Sequence, residues 1–152
     1  MQLELVEQRA QPAALPVDLA LLRRLVADLG HAGWWLNLVL VDDLQMADLN
    51  RRWYGGAGPT DVLSFSYLEA EGPGEPTLAA GVGGAAHALW VPLGDGEEPV
   101  TAGEVIIAPA FVGARCAREG WDVATEWALL EVHGALHVLG WTHDTDETLA
   151  AM

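Results

Sequence analysis

The sequence contains no lysine and only one cysteine, Cys116; its seven basic residues are all arginine: Arg9, Arg23, Arg24, Arg51, Arg52, Arg115 and Arg118. A lone cysteine cannot close an internal disulfide, so a disulfide-stapled secreted fold is excluded and a reducing cytoplasm is the expected compartment. The first residues, Met1-Gln2-Leu3-Glu4, carry neither a basic nor an apolar segment, and no secretory signal is expected. No apolar run approaches the roughly 20 residues a membrane helix needs, so no membrane partner is expected. Twenty-two acidic residues against seven arginines leave a net charge of −15. That balance excludes nonspecific nucleic-acid binding through a broad basic surface, and no DNA partner is expected. It leaves room for a local arginine patch.

What is present is enough for a core. The 152 residues are 51% hydrophobic, which fits a single domain over 1–152 that buries one core. Residues 2–6 alternate as a short strand does. Pro16 to about Leu29 carries Leu19, Leu22, Leu25, Val26 and Leu29 at helical spacing, closed by Gly30 and Gly33. Trp34–Val41 reads as a buried strand, and Asp42 or Asp43 can cap a helix running to about Trp53. Within Thr60–Phe65, Val62, Leu63 and Phe65 suggest another strand. Residues 69–102 are rich in Gly and Pro and hold Glu69, Glu71, Glu75, Asp95, Glu97 and Glu98 with no basic residue. They read as a long acidic surface loop, with a hairpin at His87–Val91. Gly103–Ala108 is a further strand. Pro109 opens a helix reaching about Glu119. Asp122 caps a helix over Val123–Leu139, and Gly140 ends it. Asp144 with Glu147 resembles a capping box opening a last short helix. The order βαβαββαα predicts an α/β (α+β-like) fold, a small mixed sheet packed with helices.

The chemistry concentrates in His133-Gly134-Ala135-Leu136-His137-Val138-Leu139-Gly140-Trp141-Thr142-His143. His133 and His137, four apart on a helix, share one face about 5–6 Å apart at Cβ. Two imidazoles so placed can converge on one ion at about 2.0–2.1 Å. Gly140 lets the chain leave the helix sharply and return His143 to the same ion. Three protein ligands leave a coordination position open, as in catalytic rather than structural zinc sites. Satisfied histidines on a partly buried helix would explain one such residue, not three with glycine at the bend. Position 134 separates the chemistries. Zinc proteases with the H-E-x-x-H motif place their general base there, whereas Gly134 can neither take nor give a proton, which counts against peptide hydrolysis.

The stretch His133–Asp144 resembles the H-G-x-L-H-L-x-G-x-D-H signature of the YbeY family, with Thr142 where aspartate is usual. Leu49-Asn50 with Pro59-Thr60-Asp61-Val62-Leu63-Ser64-Phe65 is similar to the family's L-N…P-T-D-V-L-S-F block. Gly103-Glu104-Val105-Ile106-Ile107 is similar to its G-D-I-V-I strand. The resemblance implies a zinc-dependent endoribonuclease acting on single-stranded RNA in rRNA maturation, at the 3′ end of 16S rRNA, and in ribosome quality control. It implies one Zn²⁺ per chain on His133, His137 and His143, and the small ribosomal subunit as partner. The family's Y-R-G arginine is absent: this chain reads Trp53-Tyr54-Gly55, with Tyr54 at the arginine position. Arg51, Arg52, Thr60 and Asp61 are the candidate substrate contacts, and Asp61 is alternatively a turn residue or an orienter of a metal ligand. Ser64 reads as a strand hydroxyl, Glu104 as a strand-start residue, and Arg115 and Arg118 as a solvated helix face. The tryptophans read as core, with Trp53 or Trp141 able to stack on a base. Two other readings stand beside the nuclease: a zinc-stabilised ribosome assembly factor with little catalysis, and a metallohydrolase of another substrate.

Overall fold

Short apolar runs alternating with amphipathic segments produce eight elements in the predicted order. They are β1 (Gln2–Glu7), α1 (Leu19–Ala27), β2 (Trp34–Leu40), α2 (Asp43–Tyr54), β3 (Val62–Ser66), β4 (Val100–Ile107), α3 (Pro109–Glu119) and α4 (Val123–Val138). The structure, a computed structural model, describes residues 1–29, 33–68 and 100–141. The expected hairpin at His87–Val91 and the capping box at Asp144 and Glu147 lie outside these residues.

The strands form one mixed sheet in the order β1-β2-β4-β3. β1, β2 and β4 run parallel, and β3 pairs antiparallel on the outer edge of β4. β2 is apolar on both faces, as a central parallel strand must be. Leu36, Leu38 and Leu40 join Val105 and Ile107 on one face, under Leu22 and Val26 of α1, Val112 and Cys116 of α3, and Trp127, Ala135 and Val138 of α4. Val39, Val41, Leu63, Phe65 and Ile106 form the other core, covered by Met46, Leu49 and Trp53 of α2. Truncating a residue as deeply buried as Leu38 costs about 2–5 kcal/mol.

Most boundaries differ from the sequence reading by a residue or two, and two of the differences have a clear physical reason. α1 begins at Leu19, not Pro16, because Asp18 caps it: its side chain accepts from Ala20 N at 2.8 Å. The loop expected over 69–102 does not reach Ala102. Val100, Thr101 and Ala102 belong to β4, where Val100 and Thr101 pair with Trp34 and Trp35. Gly103, expected to start the strand, instead follows a bulge inside it: the register shifts between Trp35 and Leu36. A Cβ at Gly103 would clash with the Phe65 carbonyl and lie 2.8 Å from Val138 Cγ1, so this glycine lets α4 settle onto the β3–β4 pair.

Candidate metal centre

α4 carries the histidines because its apolar residues make it a core helix, and glycine at 134 lets it come close. A Cβ at position 134 would stand 2.7 and 2.8 Å from the two Val105 methyls and 3.0 Å from Ser64 Oγ. Position 134 therefore faces the sheet at contact distance, and a side chain able to act as a base does not fit there. Ser66 Oγ pins the end of the helix by donating to Val138 O at 2.7 Å. Glu131 and Ala135, on one side of Gly134, are fully buried. His133 and His137 lie about 60–100° around the helix on the other side, toward the open edge of β3.

The two imidazoles converge. Their Nε2 atoms are 3.0 Å apart, with ring centroids 4.5 Å apart and planes at 85°. His137 Nδ1 lies 2.9 Å from the Trp141 carbonyl oxygen. A carbonyl only accepts, so Nδ1 carries the proton and Nε2 presents its lone pair toward His133. Gly140, at φ +88°, makes this contact by turning the chain so that Trp141 N donates to Leu136 O at 3.0 Å. Two nitrogens each about 2.0–2.1 Å from a tetrahedral ion sit about 3.3 Å apart, so the pair needs only a few tenths of an ångström to accept one. The donor set, two oriented imidazoles, suits zinc and its first-row neighbours. His143 lies outside the described residues, as do His31 and His87. Among the described residues no group of three or more His, Cys, Asp or Glu side chains could hold a metal.

Tyr54, at the arginine position, ends α2 beside the same edge. Its hydroxyl donates to Ser64 O at 3.4 Å, its ring is partly exposed, and burial pushes its phenol up. Arg51 and Arg52 are largely exposed, and both engage Asp48, Arg52 at 2.8 Å. Thr60 and Asp61 stand immediately before β3. Asp61 Oδ1 accepts from Thr60 Oγ1 and Val62 N, each at 3.0 Å, and Oδ2 from Arg115. That carboxylate is spent on the fold, fastening β3 to α3. Arg115 is accordingly no solvated face: its guanidinium also lies 4.9 Å from the centre of the Trp121 ring. Arg118 pairs with Glu119 on the surface. Trp53 belongs to the core, edge-on to Phe65 at 6.3 Å, whereas Trp141 is partly exposed next to the histidines.

Two acids differ from the sequence reading or escaped it. Glu104 is not a strand start but sits inside β4, buried opposite Asn37. Burial raises its carboxyl, and Tyr67 and Asn37 beside it pull it back, although Tyr67 Oη stays outside full hydrogen-bonding geometry. Glu131 is fully buried with neither oxygen hydrogen-bonded, and burial pushes it up to about 8. Its signal was present: it follows Trp127 by four on the apolar face.

Comparison with known proteins accords with this geometry. The family model described as Endoribonuclease YbeY matches residues 20–152. The chain is 33% identical over 150 residues to the Endoribonuclease YbeY of Rhodococcus erythropolis, covering 97% of this chain and 73% of that protein. It is 38% identical over 115 residues to that of Salinispora tropica, covering 74% and 63%, and 39% over 108 residues to that of Mycobacterium leprae, covering 71% and 52%. The chain thus spans about half to three quarters of the length of the curated relatives it matches. A solution structure from Thermotoga maritima, 18% identical, superposes with a TM-score of 0.51 over 97% of this chain and 83% of that one, and shows the fold.

Proposed function

The chain belongs to the YbeY family, and from that premise we propose that it is a metal-dependent endoribonuclease cutting single-stranded RNA. Its setting is the cytoplasm, its substrate rRNA on or from the small ribosomal subunit, and its task rRNA maturation and ribosome quality control. No helix among the described residues is long and apolar enough to cross a membrane.

The observation that carries this reading is the convergence of His133 Nε2 and His137 Nε2, with the second ring oriented by the Trp141 carbonyl. We assign one Zn²⁺ per chain to these residues and His143. When bound, the ion supplies Lewis acidity toward a phosphoryl oxygen and makes hydroxide available near neutral pH. The protein's part is positional. Trp141 fixes the tautomer of His137, and Gly134 holds α4 close enough to β3 for RNA on the open edge to reach the histidines. Arg51 and Arg52 are exposed ion-pair members whose attachment to Asp48 is weak, and they attract the RNA backbone from the rim.

A zinc-stabilised ribosome assembly factor with little catalysis is the second reading. The tyrosine at position 54 and the charge of −15 favour it. Incubating zinc-loaded protein with an unstructured RNA and with the same RNA annealed to its complement separates the two. The nuclease reading expects internal cleavage of the single strand, little of the duplex, and none by the His133→Ala/His137→Ala protein. An intact single strand with retained small-subunit binding would establish the assembly factor instead.

A further inference from the structure

We propose that the edge of β3 is a phosphate-binding strip, in which the backbone N–H groups of Ser64 and Ser66 each hold an oxygen of the RNA phosphate backbone beside the histidine pair. The ligand rests on the nuclease reading; the geometry does not.

The strand register decides which groups face outward. Tyr67 N donates to Ala102 O at 2.8 Å and Ala108 N to Asp61 O at 3.3 Å. With the unbroken pairing from Val62↔Ile107 to Ser66↔Gly103, residues 61, 63, 65 and 67 turn their backbone toward β4. Residues 62, 64 and 66 therefore turn theirs away. Among the described residues β3 ends the sheet, so these groups line an edge. Two are closed by the protein itself: Val62 N–H donates to Asp61 Oδ1, and Ser64 O accepts from the Tyr54 hydroxyl. Among the described residues the N–H groups of Ser64 and Ser66 have no acceptor; both residues are otherwise buried, and the two donors stand two residues and so about 6.6 Å apart.

Location favours a ligand that reaches the histidines. Ser64 lies under Gly134 and Ser66 is bonded to Val138, the residues that directly follow His133 and His137. A protein that binds a polyanion here has few cations to spend. Arg9 and Arg115 are held in ion pairs, Arg118 pairs with Glu119 at the surface, and Arg51 and Arg52 are left as the exposed cations of α2. Arg23 and Arg24 lie on α1, which packs against β1 at the far side of the sheet. Backbone N–H groups at a sheet edge bind anions without a formal charge, and they need no reorganisation as negative charge develops. They supply from β3 what an arginine at position 54 would supply from α2. Tyr54 contributes by occupying the Ser64 carbonyl, which would otherwise repel a phosphate.

Proline removes an N–H and is tolerated on an edge where that N–H faces outward. Ser64→Pro is compared with Ser64→Ala, which loses the same hydroxyl but keeps the donor. In zinc-loaded protein, kcat/KM for single-stranded RNA should fall about a hundredfold further in the proline variant than in the alanine one, with zinc stoichiometry equal in both. Equal rates in two folded variants would overturn the proposal. The wild-type protein supplies a test that survives failure of the proline variant to fold. On titration with dimethyl phosphate, the Ser64 and Ser66 amide protons should move downfield in the NMR spectrum while that of Val62, already bonded to Asp61, stays in place. If the Ser64 and Ser66 amides stay fixed at saturating single-stranded RNA, the strip does not bind phosphate. If they shift but no RNA is cut, the strip stands and the nuclease reading fails.

Discussion

At the scale of single residues, Glu131 is the least comfortable side chain in the described structure. Its carboxyl is fully buried and unbonded, and it titrates near 8 rather than at the ordinary 4.5. The folded state therefore keeps a proton that the unfolded chain releases. Below about 4.5 this acid costs the fold no ionisation; between 4.5 and 8 stability falls with rising pH, and above 8 the loss levels off. Glu131→Gln should thus gain on the parent across that window, by up to about 4 kcal/mol at its top, read as diverging urea midpoints from pH 5 to 8. Gly134→Ala should lose about 1–3 kcal/mol, because its methyl meets Val105 at under 3 Å. It should also weaken zinc binding by pushing α4 off β3; a variant with unchanged melting temperature and zinc affinity would show that the helix has room. The histidine spacing was legible in the sequence because a helix has a fixed period. The carbonyl that orients His137 was not, since it depends on where the chain goes after Gly140. Nor was the role of Asp61, whose partner Arg115 lies 54 positions away.

At the scale of elements, patterning recovered the order of all eight described strands and helices, because each has its own period and its own cap or glycine stop. What it missed was long-range. Val100–Ala102 looked like the tail of an acidic, Gly- and Pro-rich stretch, and only pairing with Trp34 and Trp35 makes the first two a strand. A deletion confined to residues 69–99 should leave the melting transition cooperative and near the parent, since joining shorter loops changes closure entropy little. Extending it through Ala102 should broaden or lower the transition by removing parallel pairs of the central sheet. Equal melting of both deletions would mean that the start of β4 adds nothing. The edge position of β3 was likewise invisible from sequence, and with it the side of the fold on which the histidines open.

At the scale of the whole molecule, the charge of −15 and the scarcity of arginines predict a nucleic-acid interaction with little electrostatic drive. The slope of log affinity against log salt for single-stranded RNA should correspond to about one to three phosphate contacts. Tyr54→Arg should steepen it by about one contact and raise cleavage; a slope of many contacts in the parent would contradict an interaction carried by so few cations. The central claim is that α4 builds a metal centre on which RNA cleavage depends. It is tested most directly by titrating zinc into chelator-stripped protein while following cleavage of an unstructured RNA. The account predicts no cleavage without metal, a rise that breaks at one zinc per chain, and no rise in His137→Ala. Cleavage that persists in the stripped protein, or a His137→Ala titration that overlays the parent, would contradict it.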